Sequence, residues 1–160
     1  MTGKPRLMKM ALLIMLAGLF TLQSCSSKEK EDDQLFTALE NEILTLINQH
    51  RAGLTLPALQ QATLITTEAR KHSKNMADGT VPYGHDGMSD RLNLIDQSLP
   101  WTSAAENIGA GTGVAPEIFD SWLVSPAHKS NIEGDYDKTG IGAAKSTEGI
   151  YYYTHIFIKQ

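Results

Sequence analysis

Residues 150–158 constrain the fold more than any other stretch. In an extended strand, Ile150, Tyr152, Thr154, Ile156 and Ile158 point to one face, and Tyr151, Tyr153, His155 and Phe157 to the other. Both faces are largely apolar, so this strand must be covered on both sides. Residues 141–145 pair with it across Ser146-Thr147-Glu148-Gly149, which predicts an antiparallel hairpin. A strand buried on two faces needs helices above and below it.

The sequence supplies those helices. Phe36, Leu39, Ile43, Leu46 and Ile47 recur at helical spacing, with Gly53 as the expected C-terminal cap. A second helix is predicted over residues 62–77, where Ile65, Ala69, His72 and Met76 form one stripe. Residues 78–87 read as a loop punctuated by Gly79, Pro82, Gly84 and Gly87, and a short helix starts near Ser89. Residues 104–109 lead into a glycine-rich turn at 110–113, which lacks the lysine and hydroxyl residue of a phosphate loop. Pro116 suits a first helical turn, with Ile118 and Trp122 on the buried side. Ser125 is the expected N-cap of a further helix that has Pro126 in its first position. Residues 136–142 enter a strand. The expectation is an α+β fold: a three-layer α-β-α sandwich around a small antiparallel sheet, with Trp122, Ile118, Leu46 and Phe157 in its core.

The first 24 residues stand apart from this pattern. Lys4, Arg6 and Lys9 precede an uncharged apolar run over residues 10–22, the arrangement of a secretory signal. Leu22-Gln23-Ser24-Cys25 then reads as a bacterial lipobox, with cleavage before Cys25 and lipid on its thiol. Cys25 is the only cysteine, so no intramolecular disulfide can form. Residues 25–35, rich in Lys, Glu and Asp, are expected to be a flexible acidic tether, and residues 36–160 the folded domain. Losing the three positive residues of the leader takes the formal charge from −4 to −7. An acidic chain without a basic patch excludes a nucleic-acid partner.

Three residues in turn-rich segments are candidates for a shared polar cleft: His85, Glu106 and His128. His128 falls in the first turn of the helix capped by Ser125, where the helix dipole disfavours an imidazolium. A neutral histidine there serves as a metal ligand or base, or hydrogen-bonds locally to fix the turn. Glu106 either faces the cleft or accepts backbone N–H bonds that hold its loop. Ser125 and Ser130 lie near His128, but no Gly-x-Ser-x-Gly elbow accompanies them. His50, His72 and His155 read as packing or boundary residues.

Several segments resemble those of the CAP, or SCP-like, domain family (cysteine-rich secretory proteins, antigen 5, pathogenesis-related 1). They are Tyr83-Gly-His85, Ala105-Glu106-Asn107-Ile108-Gly109 and Trp122-Leu-Val-Ser125-Pro126-Ala-His128. The resemblance runs from about Phe36 to the C-terminus. It implies the same α-β-α sandwich, and a central cleft holding His85, Glu106 and His128. Many members carry a second glutamate three residues after the tryptophan; here that position is Ser125. Two imidazoles and one carboxylate would suit Zn²⁺ with an open water position, although no general base for a hydrolase is evident.

The sequence therefore leads to a lipid-anchored module of the bacterial envelope, periplasmic or on the outer surface. Its expected role is non-enzymatic binding of a small ligand, lipid, glycan or protein partner at the His-Glu-His cleft. The alternatives are a metal-dependent hydrolase of envelope peptides or glycans, and a surface interaction module whose cleft is vestigial.

Overall fold

The computed structural model describes residues 6–160, with side chains from Lys30 onward. Cys25 and the expected leader thus lie outside the described side chains. Helix α1 (Arg6–Gly53) is followed by β1 (Gln60–Gln61), α2 (Thr63–Ala77), α3 (Met88–Asp96) and β2 (Ser103–Gly111). Then come α4 (Ala115–Val124), α5 (Pro126–Ile132), β3 (Lys138–Lys145) and β4 (Tyr151–Lys159). The chain divides into two units, Met1–Leu35 and Phe36–Gln160. Lys30 to Leu35, the end of the expected tether, are helical and exposed.

The sheet order is β1-β3-β4-β2. Strand β4 lies between β3 and β2 and runs antiparallel to both, with Lys145 opposite Tyr151 at the expected hairpin. Residues 153–158 are all buried, as two apolar faces require. On one face, Tyr153 and Phe157 pack with Ile43 and Ile47 of α1 and with Ile118 and Trp122 of α4. On the other, Ile156 and Ile158 pack with Ile65 and Ala69 of α2 and with Leu92 and Ile95 of α3. The sheet is thus the middle layer of an α-β-α sandwich. Each large aliphatic or aromatic side chain buried this way contributes about 1.5–3 kcal/mol.

Helix α2 rests directly on β3 because two strand residues have no side chain. A Cβ at Gly140 would stand 2.2 Å from the Thr66 nitrogen, and one at Gly142 would stand 2.1 Å from the Arg70 nitrogen. Buried polar groups then close the gap: the Ser73 hydroxyl donates to the Gly142 carbonyl at 2.9 Å. At the end of α1, the Arg51 guanidinium donates to the carbonyls of Pro57, Ile132, Gly134 and Tyr136. That clamp ties the helix to the segment between α5 and β3.

Several local expectations are corrected. Residues 104–111 are not a loop and turn but the strand β2. Ala, Asn and Gly have poor strand propensity, so pairing with β4 and helix packing decide the conformation there. The sheet is mixed, since β1 runs parallel to β3; a two-residue strand is too short to show alternation. Gly53 does not adopt a left-handed cap, and Thr55, with φ 62°, takes that conformation instead. Ser125 occupies the N-cap position of α5, but its hydroxyl makes no capping bond. Leu46 packs against the core while staying only partly buried.

Candidate functional site

The site is organised by four consecutive residues of the edge strand β2, whose side chains alternate between its two faces. Glu106 points toward α3. Arg91 Nη2 donates to both of its oxygens at 2.9 Å, and Arg91 Nε reaches Oε2 at 3.1 Å. His85 Nδ1 lies 2.9 Å from Glu106 Oε1. An ionised carboxylate only accepts, so Nδ1 carries a proton, and in the neutral ring it is Nε2 that keeps the lone pair. The glutamate side chain is 1 % exposed and the imidazole 52 %, so a buried carboxylate holds a half-exposed histidine. Arg91 Nη1 also donates to the Asp86 carbonyl at 2.7 Å, which pins the loop that carries His85.

Asn107 faces the opposite layer. Its Nδ2 donates to the His128 carbonyl at 3.0 Å, and Asn131 Nδ2 donates to Asn107 Oδ1 at 2.8 Å. These two amides fasten α5, and hence His128, to the strand. The Ile108 carbonyl accepts from Trp122 Nε1 at 3.1 Å. At Gly109 a Cβ would meet Ile118 Cδ1 at 2.3 Å and Trp122 Nε1 at 3.1 Å, so a side chain there would make Ile118 shift against α4's packing. Each residue of the Glu-Asn-Ile-Gly run therefore has a separate task.

His128 is half-buried, and its pKa is lowered, first by burial and then by the nearby His85. The sequence argument attributed its neutrality to the helix dipole; desolvation is the larger cause. Two residues before His85, Tyr83 is 58 % exposed and its ring centroid lies 6.2 Å from that of Tyr152. The other histidines are structural. His72 Nε2 lies 2.8 Å from the Gly84 carbonyl and holds the His85 loop to α2. His50 pairs with Glu133, and buried His155 with the Thr139 hydroxyl.

His85 and Glu106 are thus in direct contact, and His128 lies close enough to His85 that a proton on one ring disfavours a proton on the other. Arg91, Asn107 and Asn131 were not among the residues expected from the sequence. One signal was available for Arg91: a buried carboxylate requires a charged or multiply donating partner.

The residues do not fit the three-ligand Zn²⁺ set. Both Glu106 oxygens are committed to Arg91, which neutralises the one anionic ligand. Among the described residues no group of three His, Cys, Asp or Glu side chains is placed to hold a metal ion.

Comparison with known proteins agrees with the fold. The family model of the cysteine-rich secretory protein (CAP) family matches residues 44–157. An extracellular SCP-domain protein from Bacillus anthracis has a similar structure, with a TM-score of 0.70 and 26 % identity. The match covers 82 % of this chain but 43 % of that protein, so this chain spans less than half its length. An outer surface protein of Borrelia burgdorferi has a TM-score of 0.65 at 23 % identity, with 82 % and 94 % of the two chains covered. A cysteine-rich secretory protein from Staphylococcus aureus has a TM-score of 0.65 at 20 % identity, covering 78 % of this chain and 39 % of its own. Comparison with functionally curated proteins finds no match. With its α-β-α sandwich and a family match over more than half its length, the chain belongs to the cysteine-rich secretory protein (CAP) family.

Proposed function

We propose that this protein is a lipid-anchored envelope module that binds a ligand, without catalysis, at the cleft formed by His85, Glu106 and His128. One observation carries this reading: Glu106 is held by Arg91 on both oxygens. A carboxylate so neutralised is a poor general base and a poor metal ligand. What it does well is orient His85, whose half-exposed ring then offers Nε2, in its neutral form, as an acceptor for a hydroxyl or amide donor. The exposed Tyr83 ring, two residues before it, supplies an apolar surface. The lipobox at Leu22-Gln23-Ser24-Cys25 supports anchoring to the envelope, and the extracellular and surface proteins of like fold support the same compartment.

Two experiments test the reading. Labelled palmitate should enter the protein in a Gram-negative host and be lost in Cys25→Ala; equal labelling of both would remove the anchor. Soluble peptidoglycan fragments and phospholipid vesicles serve as probes for the cleft, followed by NMR. Saturable shifts at His85 and His128 that vanish in His85→Ala are expected with one of them. Cleavage of the fragments that requires both added Zn²⁺ and His85 would replace binding by hydrolysis.

A further inference from the structure

Three strands end together at one end of the sandwich. The register places Gly111 of β2 and Lys145 of β3 opposite Tyr151, the first residue of β4. Tyr151 is the centre of a cluster there. The Phe36 ring meets it edge-on with centroids 6.2 Å apart, and the Tyr153 ring stacks on it at 6.4 Å. Lys145 Nζ stands 5.1 Å from its centroid. Gly113 lies against the same ring, since a Cβ there would be 2.6 Å from Tyr151 Cζ. The Tyr153 hydroxyl donates to the Thr112 carbonyl, which fastens this loop to the sheet. Val114 and Ile150, the next residues along from Gly113 and Tyr151, are 43 % and 42 % exposed.

Single exposed apolar residues are ordinary on a protein surface. Here two exposed aliphatic residues flank a half-buried Phe36–Tyr151 pair, and a grouping of that kind marks an interaction surface. Aromatic rings with a lysine beside them match the headgroup level of a bilayer. The rings take the apolar boundary, and the ammonium reaches the phosphates on its flexible stem. Glu117 and Glu148, on the adjoining segments, are exposed and offset Lys145, so the surface suits a zwitterionic bilayer better than an anionic one.

The start of the domain points to the same partner. Phe36 is its first residue, and Cys25 precedes it by eleven positions. That length of chain covers about 16 Å as a helix and at most about 40 Å when extended. The inference rests here on the lipid anchoring proposed above: with Cys25 in the membrane, the end that carries Phe36 and Tyr151 is the one the anchor holds nearest to the bilayer.

We propose that the surface formed by Phe36, Val114, Ile150 and Tyr151 docks onto a zwitterionic phospholipid bilayer. The domain then stands on the membrane by this end, and Ser103 and Lys159, which pair at the opposite end of the sheet, face away from it.

The test places the full chain, as a Gram-negative host delivers it, in phosphatidylcholine nanodiscs that carry a headgroup spin label. Amide line broadening is then read by NMR. Broadening should be strongest at Val114, Ile150 and Tyr151 and weakest at Ser103 and Lys159. The double variant Val114→Ser, Ile150→Ser should lose that gradient. Both positions are exposed, so it should melt with the wild type. Leu94→Ser, at an equally exposed aliphatic residue of α3, should keep the gradient. Uniform broadening, a gradient in the other direction, or a double variant with the parent's gradient would overturn docking. A chain that stays off the discs would do the same. Palmitate labelling judges the anchor separately. Label without a gradient keeps the anchor and removes docking; a gradient without label keeps docking and removes the anchor.

Discussion

Arg91 grips both carboxylate oxygens of Glu106 at 2.9 Å, and the two side chains are 9 % and 1 % exposed. A pair this deep in the protein is neutral as a unit and highly charged when broken. Removing one partner strands the other in a low-dielectric setting, at a cost of about 3–5 kcal/mol. Arg91→Ala should therefore lower stability to urea by that amount. A loss below about 1 kcal/mol would mean that water reaches Glu106 and that Arg91 is dispensable.

Trp122 is 1 % exposed and its indole nitrogen serves the Ile108 carbonyl. Trp122→Ala should cost about 3–5 kcal/mol through the cavity it leaves. Trp122→Phe keeps most of the ring but orphans that carbonyl, at about 1–3 kcal/mol. Chemical denaturation of both variants checks the ranking. A phenylalanine variant as stable as wild type would show that the hydrogen bond contributes nothing.

The two classes of glycine should respond in opposite directions. Gly142→Ala drives a Cβ to 2.1 Å from the Arg70 nitrogen, which forces α2 off the sheet. Overpacking of this kind costs about 1–3 kcal/mol or more. A Cβ at Gly53 meets nothing within 4 Å, and its backbone is not left-handed. Gly53→Ala should be stabilising by about 0.4–1 kcal/mol. Thermal melts that place the two variants on the same side of wild type would contradict the packing described.

His155 is fully buried and its Nδ1 lacks a partner, so it folds as the neutral imidazole. Burial, and then the charge of Arg51, push its pKa from 6.5 down to about 3. The folded pKa is below the unfolded one, so the unfolded chain takes up the proton first as pH falls. Stability should be full above about pH 6.5 and decline toward pH 3, by at most about 1.4 kcal/mol per pH unit for this group. His72 and His128, whose pKa values are also lowered by burial, add to the same slope. His155→Gln should flatten the acid limb between pH 7 and 5. An unchanged slope would assign the acid sensitivity to other groups.

The hairpin of β3 and β4 and the buried stripes of α2 and α4 were legible in the sequence. Each rests on periodicity, and periodicity survives as a one-dimensional signal. Glu106 and His85 were legible as a pair only through their motifs. Strand β2 was not legible at all, because Ser103–Gly111 consists largely of small residues. Alanine and glycine there answer to the space beneath α4 rather than to strand propensity, and that space exists only after the helices have packed.

The sequence by itself determined which segments bury apolar surface, and from that the layered architecture, since burial follows from spacing along the chain. Tertiary structure alone decided the partners: Arg91 for Glu106, Asn107 and Asn131 for the helix of His128, and the backbone of α2 for Gly140 and Gly142. Hydrogen bonds and close contacts depend on distances between residues far apart in the chain. No local pattern encodes which buried polar group will meet which.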